Sequence, residues 1–124
     1  MGKPTILVCD DEENVRKGVK MILERDYELR FAVDGEEALQ QLEGQPVDLV
    51  LLDIKLPKID GLEVLHTLMA KQPAPRVIML TAYQSVELAQ RTTYAGAIDY
   101  VTKPFERDAL TKAVQRALSR PVSP

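Results

Sequence analysis

The sequence is poor in cysteine, in histidine, in basic excess and in long apolar runs, and each shortage excludes something. A single cysteine, Cys9, cannot close an internal disulfide, and its place in the apolar run from Thr5 marks it as a small core residue. The lone histidine, His66, sits beside Leu65 and Leu68, which take the core stripe of their helix, so His66 is expected on the surface rather than at a metal. A formal net charge of -3 and a pI near 5.2 leave no broad basic surface for gripping nucleic acid through counterion release. The longest apolar run, Val47 to Leu52, is interrupted by Asp48 and falls far short of the roughly 20 residues that span a bilayer. Met1-Gly2-Lys3-Pro4 lacks the apolar segment of a signal peptide, so a cytoplasmic location is expected.

What remains is a chain of 124 residues, 45% apolar and 28% charged, of a size and composition for one globular domain with a real core. Five strand-length apolar runs recur: Thr5 to Cys9, Leu29 to Val33, Val47 to Leu52, Arg76 to Leu80 and Ala97 to Val101. Between them lie segments with helical spacing, marked by Val15, Val19, Ile22 and Leu23, then by Leu62, Leu65, Leu68 and Met69, and finally by Leu110, Ala113, Val114, Ala117 and Leu118. Glu36 to Leu42 and Ser85 to Tyr94 complete the set with weaker amphipathy. Strands that are apolar on both faces, alternating with helices, predict an α/β fold in which helices cover both sides of a parallel sheet. The expected form is a (βα)5 doubly wound sheet with strand order 2-1-3-4-5. The domain is expected to occupy residues 1–119, and the proline-rich residues 120–124 to begin a linker or tail.

In such sheets function gathers at the carboxyl ends of the strands. There the sequence places Asp10-Asp11, Asp53, Thr81 and Lys103-Pro104. Taken singly, each has an ordinary explanation, since aspartate is a common helix cap and Asp10-Asp11-Glu12-Glu13 complements a helix dipole. Taken jointly, three carboxylates and one ammonium sum to about -2, which a divalent cation brings to about zero. Incomplete oxygen ligation of this kind suits Mg²⁺. A carboxylate nucleophile beside such a metal forms an acyl phosphate, with Lys103 neutralising phosphoryl charge and Thr81 offering a hydroxyl to a phosphoryl oxygen.

Four stretches carry a family likeness: Ile6 to Glu12, Leu51 to Gly61, Met79 to Ala82 and Gly96 to Phe105. Over residues 3–118 the chain resembles the receiver domains of two-component response regulators, the CheY-like fold. The resemblance implies that Asp53 accepts phosphate from a sensor histidine kinase. Asp11, Asp53 and the backbone carbonyl of Lys55 would hold Mg²⁺ (or Mn²⁺), with Asp10 acting mainly through water. It further implies that Thr81 and Tyr100 form a coupled switch and that the Lys103–Pro104 peptide is cis. Large residues at Lys55 and Tyr83 are expected to flank Asp53 and slow loss of the phosphoryl group.

The resemblance also implies a signalling switch that assists its own phosphorylation and dephosphorylation, not a dedicated enzyme. Its output face would be built from the fourth helix, fifth strand and fifth helix, with Arg91, Tyr94, Asp99 and Arg107 as contacts. That face would serve an effector domain or partner, or a phosphorylation-dependent homodimer, with no nucleic acid or membrane bound by the domain itself. The stretch from Thr81 to Ala89 is similar to receivers of the nitrogen-regulatory class, which implies transcriptional output.

Three rival readings fit the residues less well. A haloacid-dehalogenase-like phosphatase needs a second carboxylate two residues after the nucleophile, where Lys55 stands. A flavodoxin-like carrier needs a phosphate loop after the first strand, where acid would repel the cofactor. A phosphate-independent interaction module has no use for the complete set Asp10, Asp11, Asp53, Thr81 and Lys103.

Overall fold

The computed structural model describes residues 2–82 and 85–120. Five strands alternate with five helices: β1 Thr5–Cys9, α1 Glu13–Leu23, β2 Glu28–Ala32, α2 Gly35–Gly44, β3 Leu49–Leu52, α3 Gly61–Met69, β4 Val77–Thr81, α4 Val86–Tyr94, β5 Asp99–Thr102 and α5 Arg107–Leu118. All neighbouring strands pair in parallel, in the order β2-β1-β3-β4-β5, as the alternation predicts.

The period-2 alternation of each strand divides the core into two layers. Leu7, Cys9, Val50, Leu52, Val77 and Met79 point to one face and bury against Ala38 of α2 and Val64, Leu65 and Leu68 of α3. Ile6, Val8, Leu49, Leu51, Ile78 and Leu80 point to the other and meet Val19 and Leu23 of α1 and Leu110, Val114 and Ala117 of α5. Cys9 is buried and unpaired, and His66 is exposed, as the sequence predicts. Burial pushes the Cys9 thiol far above its ordinary range, with the charges of Asp10 and Glu37 acting in the same direction.

Several strand ends differ from the apolar runs by one or two residues. Val33 falls outside β2 because its N–H donates to the Glu37 carboxylate at 3.2 Å. Ala97 precedes β5, since its N–H turns back to the Thr92 carbonyl at 2.9 Å. Gly96, at φ 117°, makes that reversal in a region where other residues strain. Arg76 precedes β4, and its side chain reaches the carbonyls of Asp48 at 3.1 Å and Arg120 at 2.8 Å.

Local chemistry starts most helices at the same edge of the sheet. Asp34 caps α2 by accepting the Glu37 N–H at 2.7 Å, Asp60 caps α3 through Glu63, and Ser85 caps α4 through Leu88. The strand ends and helix starts therefore share one rim.

Candidate functional site

β1 and β3 finish flush at this rim. The Asp53 N–H donates to the Cys9 carbonyl at 3.0 Å, and the Asp10 N–H donates to the Ala32 carbonyl at 3.0 Å. Lys103 follows β5 and is joined to β4 by its N–H, which donates to the Thr81 carbonyl at 2.8 Å. Asp10, Asp53, Thr81 and Lys103 are all buried polar residues, while Asp11 is exposed. The Lys103–Pro104 peptide is cis, as the resemblance implies; Gln72–Pro73 is also cis.

Lys103 lies across the carboxylates. Its Nζ donates to Asp10 Oδ2 at 2.7 Å, to Asp53 Oδ2 at 3.3 Å and to Glu12 Oε1 at 3.4 Å. Carboxylate oxygens of Asp10, Asp11, Glu12 and Asp53 lie within 4.8 Å of one another, so four acids face one ammonium. Such a set repels itself and fits a hard divalent cation. Glu12 is the member that the sequence reading did not place there. Its signal is the unbroken run Asp10-Asp11-Glu12, in which Glu12 also serves as an ordinary acidic complement to the helix dipole.

Burial drives the Asp10 carboxyl above the usual carboxylate range, and the nearby Asp53 charge adds to it; the Lys103 ammonium and the Glu12 N–H pull the other way without prevailing. For Lys103 burial opposes the charge, but the carboxylates of Asp10 and Asp53 outweigh it and the ammonium titrates above its ordinary value. Tyr100, in β5, is half-buried against the layer containing Leu52 and Met79. Burial pushes its hydroxyl up, and so does the charge of Asp53, which places Tyr100 within electrostatic reach of the rim.

The loop after β3 closes the site from below. The Lys55 N–H reaches Asp53 Oδ1 at 3.4 Å, while the Lys55 side chain is exposed. Gly61 packs so closely that a Cβ there would strike the Asp53 carbonyl oxygen, and a Cβ on Gly35 would strike the carbonyl of Ile59. The Gly35 N–H donates to the Pro57 carbonyl at 3.1 Å, tying the start of α2 to the same loop. Tyr83, expected to flank Asp53, lies outside the described residues, as do residues 121–124 of the expected tail. An apolar cleft of about 230 Å³ between Leu42, Val47, Leu68 and Pro75 contains none of the rim residues.

On the expected output face Arg91 and Arg107 are exposed and Tyr94 is 96% exposed. Asp99 is half-buried and accepts from Arg116 at 3.3 Å. No helix among the described residues is long and apolar enough to cross a membrane.

A five-stranded 2-1-3-4-5 sheet with an acid and lysine rim at its strand ends defines the class: a CheY-like α/β domain. The chain belongs to the response regulator receiver domain family, whose pattern matches residues 6–115. It is 40% identical over 114 residues to the regulatory protein AtoC of Escherichia coli, covering 91% of this chain and 25% of that protein. It is 36% identical over 117 residues to the transcriptional regulatory protein PdtaR of Mycobacterium tuberculosis, covering 93% and 57%. The receiver domain of NtrX from Brucella abortus superposes with a TM-score of 0.87 at 35% identity, covering 94% of this chain and 99% of that one. The receiver domain of a LuxO repressor protein from Vibrio parahaemolyticus superposes at 0.91 with 30% identity, covering 96% and 92%. The chain thus spans between a quarter and somewhat over half of the curated relatives it matches, and among them resembles the nitrogen-regulatory class.

Proposed function

We propose that this domain is a phosphorylation-dependent switch whose acceptor is Asp53. A carboxylate oxygen of Asp53 attacks the phosphorus of a phosphohistidine on a sensor kinase. The P–N bond breaks, the imidazole nitrogen leaves with the electron pair, and Asp53 becomes an acyl phosphate. The observation that carries this reading is Lys103, held 3.3 Å from Asp53 Oδ2 inside a cluster of four acids.

The donor set suits Mg²⁺ or Mn²⁺, which Asp11, Asp53 and the Lys55 carbonyl would hold directly. When bound, the cation supplies neutralisation of charge on the phosphoryl oxygens. Asp10 is assigned to act through water because both of its oxygens are engaged, Oδ1 by the Glu12 N–H at 2.9 Å and Oδ2 by Lys103. Lys103 turns from the carboxylates toward the new phosphoryl group. Thr81 offers its hydroxyl to a phosphoryl oxygen, and Tyr100, already sensing the charge of Asp53, follows Thr81 inward.

Residues 1–119 form the receiver. The switch is cytoplasmic and not a dedicated enzyme, although it assists gain and loss of its own phosphate. Its α4–β5–α5 face controls an effector, by the kinship above a transcriptional one, or a second copy of the chain; this domain itself contacts neither nucleic acid nor membrane. Intact mass after incubation with a small phosphodonor and Mg²⁺ tests the site. A single phosphoryl adduct is expected in the parent and none in Asp53→Asn or with EDTA; an adduct surviving in Asp53→Asn overturns the assignment.

A further inference from the structure

Arg16 stands outside the acid and lysine rim yet is bonded to its backbone. It is the fourth residue of α1, half-buried, and its Nη1 donates to the Asp10 carbonyl oxygen at 3.0 Å. That carbonyl belongs to the peptide joining Asp10 to Asp11. The other bonds at this turn fix Asp10: its N–H goes to Ala32, Oδ1 accepts from Glu12, and Oδ2 accepts from Lys103. Asp11 has no equivalent. It is exposed, and no hydrogen bond to its carboxylate is present among the described residues. Nor does the helix end secure the turn, because Glu12, the N-cap of α1, makes no side-chain capping bond. The Arg16 guanidinium does, through its bond to the Asp10 carbonyl.

We infer that Arg16 is a positioning residue of the cation pocket, holding the Asp10–Asp11 peptide so that the Asp11 carboxylate faces the cation. The inference rests on the reading of the rim as a Mg²⁺ site. Two effects of Arg16 have opposite signs. Its positive charge, held on the turn that carries Asp10 and Asp11, opposes a cation, so removing that charge alone tightens Mg²⁺ binding. Its grip on the peptide prepays the ordering of Asp11, so removing the grip weakens binding. The charge acts partly through solvent and is screened, whereas loss of an outer partner of a metal ligand typically weakens binding about tenfold or more. The positioning effect prevails.

The test is the rise of the thermal-unfolding midpoint across a Mg²⁺ series, which reports affinity without requiring phosphorylation. Arg16→Ala is expected to need about tenfold more Mg²⁺ than the parent for the same rise. Arg16→Lys, which keeps a donor and the charge, recovers most of the difference. Lys17→Ala, which removes a neighbouring exposed charge paired with Glu13, behaves as the parent does. If Arg16→Ala fails to fold, Arg16→Gln gives the same comparison. Equal or tighter Mg²⁺ binding in the Ala or Gln variant overturns the inference, as does an Arg16→Lys variant no better than Ala. A parent with no Mg²⁺ response overturns the cation pocket itself, while a responsive parent matched by its variants overturns only the role of Arg16.

Discussion

Asp10 and Asp11 are adjacent in sequence and opposite in circumstance. Asp10 is 1% exposed and engaged through its N–H, its carbonyl and both carboxylate oxygens; Asp11 is exposed. Because the folded Asp10 titrates above its ordinary value, the native state takes up that proton before the unfolded chain does as pH falls. The cost of its charge is therefore present above the folded pKa and disappears below the unfolded one. Asp10→Asn, which keeps an acceptor for the Glu12 N–H, is expected to raise the metal-free unfolding midpoint at pH 7. That gain shrinks toward acid pH, and a lowered midpoint at neutral pH would contradict it. Lys55→Asn is expected to shorten the life of the phosphoryl group by opening the approach to Asp53; unchanged or slower decay tells against this. The identities Asp10, Asp11, Asp53, Thr81 and Lys103 were legible because strand-end position follows from periodicity. Glu12 and Arg16 were not, since their roles depend on how one turn folds back over the rim, and side-chain reach of that kind leaves no period in the sequence.

Among the elements, the loop from β3 to α3 bears most directly on the site. Gly61 allows the start of α3 to lie against the Asp53 carbonyl, and Gly35 allows α2 to lie against that of Ile59. Gly61→Ala must displace backbone at the proposed acceptor, so it is expected to cost about 1–3 kcal/mol in denaturant unfolding. It should also lower the phosphorylation rate in the fraction that folds. An alanine variant equal to the parent in both would refute the close approach. The strands and the strongly amphipathic helices were legible from their periods, whereas their ends moved where a backbone group found a partner outside the ladder, as Val33 and Ala97 did. α4 was one of the two weaker helices in the sequence for a physical reason: among its residues only Thr92 is fully buried, and Val86 and Tyr94 face solvent.

At the scale of the molecule, the sheet divides the two tasks. The rim holds the proposed chemistry, while the α4–β5–α5 face exposes Arg91, Tyr94 and Arg107. Tyr100 lies in β5 between the two and packs with the core layer of Leu52 and Met79. Phosphorylation is therefore expected to change association. Sedimentation should show a second copy or an effector fragment bound after treatment with phosphodonor and Mg²⁺, and Thr81→Ala should lessen the change without removing the adduct. Identical sedimentation before and after phosphorylation, with no partner gained, would contradict an output through this face. All of this depends on one residue carrying the phosphoryl group. The direct measurement is borohydride reduction of the phosphorylated chain followed by peptide mapping, since reduction of an aspartyl phosphate yields homoserine. Homoserine at position 53 alone is the predicted result; homoserine at Asp10 or Asp11, or none despite a phosphoryl adduct, would contradict it.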